Sequence, residues 1–283
     1  MQTQSRAYPL GQSKEEHRRL MIQGRFYAEM SEEILRAAGI RPGMRVLDLG
    51  CGAGDVSLLA AKLVGPAGAV VGIDRAEEPL AVARQRAEAA GLGNVRFEQA
   101  DGPSFRSDEL FDALVGRFVL MYLPDPAAGL RHLAQRVRPG GVIVMQEMLQ
   151  SPAQTTPAVP LAGKCIGWIH ETMRCAGVAA DFGLRLPAVF RAAGLPVPET
   201  RIHGRMEGHA DSGVFDVIAG TVRSLLPMME RFDVVRRGEV DAETLSERLR
   251  DEILAAGAMA LPPLIVAAWT RKPAPPPALA YTL

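Results

Sequence analysis

Cysteine is scarce in this chain: Cys51, Cys165 and Cys175 are the only three among 283 residues. An odd, widely spaced set is no disulfide framework, and it fits a reducing, cytoplasmic setting. Net charge is also absent, since 32 basic and 32 acidic residues sum to +0. A balanced surface gives a polyanion nothing to gather on, which argues against nucleic acid or an anionic membrane as the main partner. No apolar run reaches membrane-spanning length. The N-terminal MQTQSRAYPL lacks the basic-then-apolar pattern of a secretion signal. Histidine is rare too, and His203 and His209 show no metal-ligand spacing, so no metal site is expected. Apolar residues, in contrast, are plentiful at 48%. That is enough for a substantial core, in one large domain or one domain with a cap. No internal repeat interrupts it, and nothing in the pattern fixes the oligomeric state, a homodimer included.

The order of patterns predicts an α/β chain. Ser13-Lys14-Glu15-Glu16 reads as a capping box opening a helical stretch that runs through Ile34-Leu35 with a break near Ser31 and stops at Gly39. Short apolar runs then alternate with amphipathic segments. Strands are expected at 45–49, 69–73, 95–99, 111–115 and 142–146. Helices are expected at 56–63, 79–90 and from Asp125-Pro126 to about Val137, with Asp125 as N-cap. Alternation of this kind implies parallel βαβ units, and strands apolar on both sides imply a doubly wound sheet covered on both faces. After Ser151 the rhythm changes. A helical stretch surrounds Ile166 to Met173, a short helix spans Leu186 to Ala193 and a strand lies near 197–202. Residues 212–258 are helical, a last strand covers 264–269, and the tail from Pro273 is rich in proline and alanine.

The densest signal is Val46-Leu47-Asp48-Leu49-Gly50-Cys51-Gly52-Ala53-Gly54-Asp55. An apolar strand ends in an acid and opens into a glycine turn, where backbone without Cβ atoms can approach a ligand closely and the next helix aims its amides at it. The dinucleotide fingerprint is G-x-G-x-x-G. Here the glycines alternate, Gly50, Gly52 and Gly54, and Asp48 precedes them. A carboxylate there repels a pyrophosphate and favours a cation such as the ammonium of a methionine moiety. Asp74 ends the second strand, where an acid accepts both hydroxyls of a ribose. Asp101-Gly102 follows the third, where it can read the amino edge of adenine.

These residues resemble the class I S-adenosylmethionine (SAM)-dependent methyltransferases. The runs that carry the resemblance are VLDLGCGAGDVSLLAA, VVGIDRAEEPL, VRFEQADG, FDALVGRFVLMYLPDP and VRPGGVIVMQE, in order over roughly residues 40–150, with LIVAAWTRKP resembling the closing antiparallel strand. YPLGQSKEEHRRLMIQGRF and LPAVFRAAGL resemble a bacterial branch acting on small molecules in specialised metabolism. The resemblance implies a Rossmann-like, doubly wound, mostly parallel seven-stranded sheet with an inserted helical cap. It divides the chain into an N-terminal helical lid (1–40), a SAM-binding core (41–150), a helical cap with the sixth strand region (151–262), and a last strand with a loose tail (263–283). SAM is the implied cofactor. By position, Asp48, Gly50 and Gly52 line its methionine end, Asp74 holds the ribose with Arg75 beside the adenine, and Asp101 and Gly102 meet the adenine edge. Arg117 falls where the cofactor and acceptor sites meet, and Tyr8 and Gln23 come from the lid. After the fourth strand stands Gly116-Arg117-Phe118-Val119 rather than an Asn/Asp-Pro-Pro-Tyr run, and no cysteine follows a proline as the cytosine-C5 nucleophile does. Both departures argue against DNA as substrate.

Methyl transfer from a sulfonium asks the protein mainly to align two partners, and a base only if the acceptor must lose a proton. His170 and Glu147 are the candidates for that role, whereas His132 is assigned no chemistry. Trp168, Met121 and Tyr122 are the candidates for contact with the acceptor. Apolar cap residues, among them Cys165, Ile166, Met173, Val214, Phe215 and Ile218, suit a hydrophobic or aromatic small molecule, although most must form the cap's own core. The expected function is methylation of such an acceptor at oxygen or nitrogen, with carbon kept open. The competing readings are a SAM-binding enzyme of the same fold that catalyses a non-methyl reaction such as a cyclisation, a non-catalytic SAM-binding partner protein, and a dehydrogenase.

Overall fold

The computed structural model describes residues 14–274. Two helices, α1 (Lys14–Phe26) and α2 (Ala28–Ala37), precede the alternating core. The break between them is at Tyr27, not near Ser31, which is buried inside α2. Its cause is distant in sequence: the buried Tyr27 hydroxyl donates to the Pro263 carbonyl at 2.9 Å, and the ring packs edge-on against Phe118 at 5.6 Å. Gly39 ends the segment as expected, at φ +91°. Ser13, the expected cap of α1, lies outside the described residues.

The core runs β1 (Arg45–Leu49), α3 (Asp55–Val64), β2 (Ala69–Asp74), α4 (Glu77–Ala89), β3 (Val95–Gln99), β4 (Phe111–Arg117), α5 (Pro126–Ala134) and β5 (Val137–Leu149). The Asp125 side chain caps α5 by accepting from Ala128 N–H at 2.9 Å. β5 begins five residues earlier than expected, because the Pro139-Gly140-Gly141 turn is absorbed as an irregularity in its pairing with β4. The remaining elements are β6 (Gln154–Thr156), α6 (Pro160–Cys175), α7 (Leu186–Ala192), β7 (Glu199–His203), α8 (Val214–Arg231), α9 (Leu245–Ala255), β8 (Met259–Leu261) and β9 (Leu264–Arg271). The stretch expected as one helical region over 212–258 is therefore two helices. β6 and β8 form a small separate ribbon that the sequence pattern does not announce.

Seven strands form one sheet in the order β3-β2-β1-β4-β5-β9-β7. β1 pairs in parallel with both β2 and β4, whereas β9 runs antiparallel between β5 and β7. The central strands are buried on both faces: Val46, Leu47, Leu114, Val115, Ile143 and Val144 are each 0% exposed. That is what a sheet covered by helices on each side requires. The strand order reverses at β1, between β2 and β4. In open α/β sheets the crevice beyond the carboxyl ends of strands at such a point is where ligands bind. Above this end of the sheet, α6, α8 and α9 pack on one another, and α1 packs along α8. No helix among the described residues is long and apolar enough to cross a membrane.

Candidate active site

A cavity of about 480 Å³ opens at the switch point. One end is made by the strand termini. Asp48 and Leu49 come from β1, the glycine turn follows, and Asp74, Asp101 and Arg117 stand at or just past the ends of β2, β3 and β4. Gly50 and Gly52 adopt φ of +62° and +52°, a region that only glycine enters without strain. Their surroundings differ. A Cβ on Gly50 would meet Val119 Cγ2 at 2.4 Å, whereas one on Gly52 would meet nothing within 4 Å. Gly50 is thus required by the protein itself, and Gly52 leaves bare backbone toward the open cavity.

The acids at this end are held by specific partners. Ser57, one turn into α3, donates its hydroxyl to Asp48 Oδ2 at 2.6 Å. Burial pushes the Asp48 carboxyl up to about 7, against the lowering effect of that hydrogen bond and of Arg117. Asp74 accepts the Gly52 amide at 3.0 Å on Oδ2 and the Ala76 amide at 2.9 Å on Oδ1. Each oxygen keeps a second acceptor site for a ligand hydroxyl. Arg117, 7% exposed, donates to Ser31 Oγ at 2.9 Å and stands 3.7 Å from Asp55, which Arg86 holds at 2.7 Å. Ser31 in turn donates to Gln146 Oε1 at 2.9 Å. Burial lowers the Arg117 pKa, opposed by Asp55 and Asp48.

The other end is apolar. Ile166, Ile169 and Met173 line it from α6, and Val217, Ile218 and Leu225 from α8. The i, i+3, i+7 spacing on α6 turns a single face to the cavity. Gln150, Thr221 and Tyr122 are the polar residues of this end, and Arg19, Leu20 and Gln23 border the cavity from α1. Among residues 19–274 no histidine, lysine or glutamate lines the cavity.

Most of the sequence-predicted residues meet here: Gln23, Asp48, Gly50, Gly52, Asp74, Arg75, Asp101, Gly102, Arg117 and Tyr122 all line the cavity. Tyr8 lies outside the described residues. Four others are placed elsewhere. His170 is exposed on α6, off the Ile166–Ile169–Met173 face, so it is no base for a group in the cavity. Glu147 is 0% exposed and outside the cavity lining, its Oε1 taken by the amides of Val119 and Leu120 at 3.1 and 2.7 Å. Trp168 is half-buried on another side of α6, and Met121 is buried in the core; neither lines the cavity. Cys165, Val214 and Phe215 are likewise core residues, whereas Ile166, Met173 and Ile218 do face the cavity. The sequence reading passed over Ser57, although a hydroxyl in the first turn after a glycine loop is a usable signal. It also passed over Ile169, whose i+3 relation to Ile166 was legible.

Fold and cavity together define a Rossmann-like α/β architecture with its cleft at the switch point, and the chain is similar to methyltransferases. Residues 40–174, just under half of the chain, match the family model described as a methyltransferase domain. It is 33% identical over 131 residues to a demethylmenaquinone methyltransferase of Geobacillus kaustophilus, a match covering 46% of this chain and 56% of the relative. The chain thus matches about half the length of such relatives. Among solved structures, a putative methyltransferase from Bacillus halodurans superposes with a TM-score of 0.58 at 17% identity, covering 87% of this chain and 100% of that one. The [4+2]-cyclase SpnF superposes with a TM-score of 0.52 at 18% identity, covering 88% and 81%. At these identities the two structures speak for the fold alone.

Proposed function

We propose that the protein transfers the methyl group of SAM to a small, largely apolar acceptor bound in the same cavity. The observation that carries this reading is the continuity of the cavity, from the aspartates and bare backbone at the strand ends to the apolar faces of α6 and α8. The donor set fits the cofactor. Asp48 suits a cationic ammonium, the free acceptor sites of Asp74 suit a ribose diol, Asp101 with the Gly102 amide suits the adenine edge, and Gly52 leaves space for close approach. When bound, SAM supplies an electrophilic methyl on a sulfonium. The protein's part is to hold both partners in line and to exclude water, with α1, α6 and α8 covering the cavity.

Among residues 19–274 the cavity lining holds aspartates but no histidine, lysine or glutamate, which bears on the acceptor. The acidic side chains that do line it, Asp48, Asp55, Asp74 and Asp101, all belong to the cofactor end. An acceptor atom that arrives ready to react, as an amine lone pair or as an easily ionised phenol or enol, fits this lining better than an alcohol that needs a strong base. The name of the Geobacillus relative gives demethylmenaquinone as its acceptor, and a ring compound of that apolar kind suits the faces of α6 and α8.

Incubating the protein with SAM and a panel of apolar phenols, quinols and amines tests the reading. The expected products are S-adenosylhomocysteine and an acceptor one methylene heavier by mass spectrometry. A product of unchanged mass without S-adenosylhomocysteine would instead support a non-methyl reaction, and failure to bind SAM would overturn the cofactor assignment.

A further inference from the structure

The short turn after β4 forms one wall of the cavity through Phe118, Val119, Tyr122 and Leu123, with Val119 packed against Gly50 of the glycine turn. It has no cap of its own. Its first amides need an acceptor, but the residue at the cap position is Val119, whose side chain has none. The acceptor comes instead from β5, 27 residues on: Glu147 Oε1 takes the amides of Val119 and Leu120 at 3.1 and 2.7 Å. The Met121 amide is directed at the same carboxyl. The neighbouring Gln146 carbonyl takes the Phe118 amide at 2.8 Å. Between these two anchors, Phe118 sits at φ +54°, a conformation that a bulky residue holds only when its surroundings impose it.

We infer that Glu147 is a positioning residue: its carboxyl group caps the turn after β4 and thereby fixes the Phe118–Leu123 wall against which the acceptor is aligned. The inference rests on the methyl-transfer reading for the acceptor, but the cap itself does not. Glu147 is fully buried, its Oε2 has no partner, and burial raises its carboxyl to about 8. A neutral carboxyl still accepts amides through Oε1, so glutamine can replace it in this role and alanine cannot.

Hydrogen–deuterium exchange and kinetics together test the inference. In the wild-type protein the Val119 and Leu120 amides should exchange as slowly as those of β5; exchange at the rate of an open loop would overturn the cap with no variant needed. Glu147→Ala should speed exchange at these two amides and raise the acceptor KM about tenfold, the range set by losing a buried hydrogen-bond acceptor. SAM affinity by calorimetry, reached only through the packing of Val119 on Gly50, should fall by clearly less than the acceptor KM rises. Glu147→Gln should restore both exchange protection and KM. A melting temperature lowered with KM unchanged, or SAM binding weakened as much as acceptor binding, would overturn the positioning role. Because exchange and SAM binding are read without any acceptor, failure of the cap is distinguishable from failure of the methyl-transfer reading.

Discussion

Gly24 of α1 lies so close to Asp55 at the start of α3 that a Cβ on the glycine would fall 2.2 Å from the aspartate Cγ. Asp55 cannot easily yield, since Arg86 and Arg117 hold it and its side chain is 12% exposed. Gly24→Ala gains roughly 1 kcal/mol of helix propensity, but overpacking a tight contact costs about 1–3 kcal/mol. The clash should prevail and lift α1 from the glycine turn, lowering SAM affinity about tenfold. Calorimetric titration checks this, and unchanged affinity would show that α1 does not close over the cofactor end.

Asp74 ties the glycine turn to β2 through the Gly52 and Ala76 amides, so its loss removes two backbone anchors as well as the proposed ribose contact. Asp74→Ala should weaken SAM binding by at least tenfold and destabilise the apo protein by about 1 kcal/mol, the net value of hydrogen bonds whose half-buried donors water can still reach. If melting temperature and affinity both match the wild type, neither role holds.

At the proposed methionine end, Asp48 should make SAM binding sensitive to pH. Its carboxyl is raised from 3.8 to about 7 in the folded protein, so the native state holds that proton more tightly than the unfolded chain. The corresponding stability is full below the unfolded value and is lost as pH rises through the folded one. A cationic ammonium favours the ionised carboxylate. SAM binding should therefore release a proton, and affinity should fall as pH drops below about 7. Titrations in two buffers of different ionisation heat measure the proton release, and Asp48→Asn should abolish it. A wild-type affinity that is flat with pH would remove Asp48 from the methionine end.

His170→Ala should leave turnover within about twofold of wild type, because exposed substitutions away from a site rarely matter. A large loss across the pH range would mean that the α6 face turned from the cavity takes part after all.

Ile169→Ser changes the apolar end alone. Acceptor KM should rise about tenfold, the cost of losing most of a buried aliphatic side chain, with SAM affinity unchanged. Equal loss of both would mean that the two ends are not separate subsites.

What the chain pattern disclosed, and what it hid, follows from how local each cause is. β1 and β3 fall at the bounds read from their apolar runs, and Asp48, Gly50, Gly52 and Asp74 could be placed because turn chemistry is encoded within a few residues. Glu147 reads as a candidate base because an acid just past an apolar strand falls beside the site, whereas its burial and its cap are decided by amides 27 and 28 residues away. The break at Tyr27 depends on a carbonyl 236 residues distant. His170 was misplaced because helical periodicity gives the faces of α6 but not which one meets the cavity.

The contact of α1 with α8 has a thermodynamic consequence. α1 borders the cofactor end through Gln23 and meets the acceptor roof where Arg19 lies against Gly220. On the proposed reading, one element thus borders the places of two ligands. To the extent that either ligand favours the closed placement of this helix, it strengthens the other, and by the same factor in both directions. If both ligands bind as proposed, a reciprocal tightening of cofactor and acceptor follows from the position of a single helix.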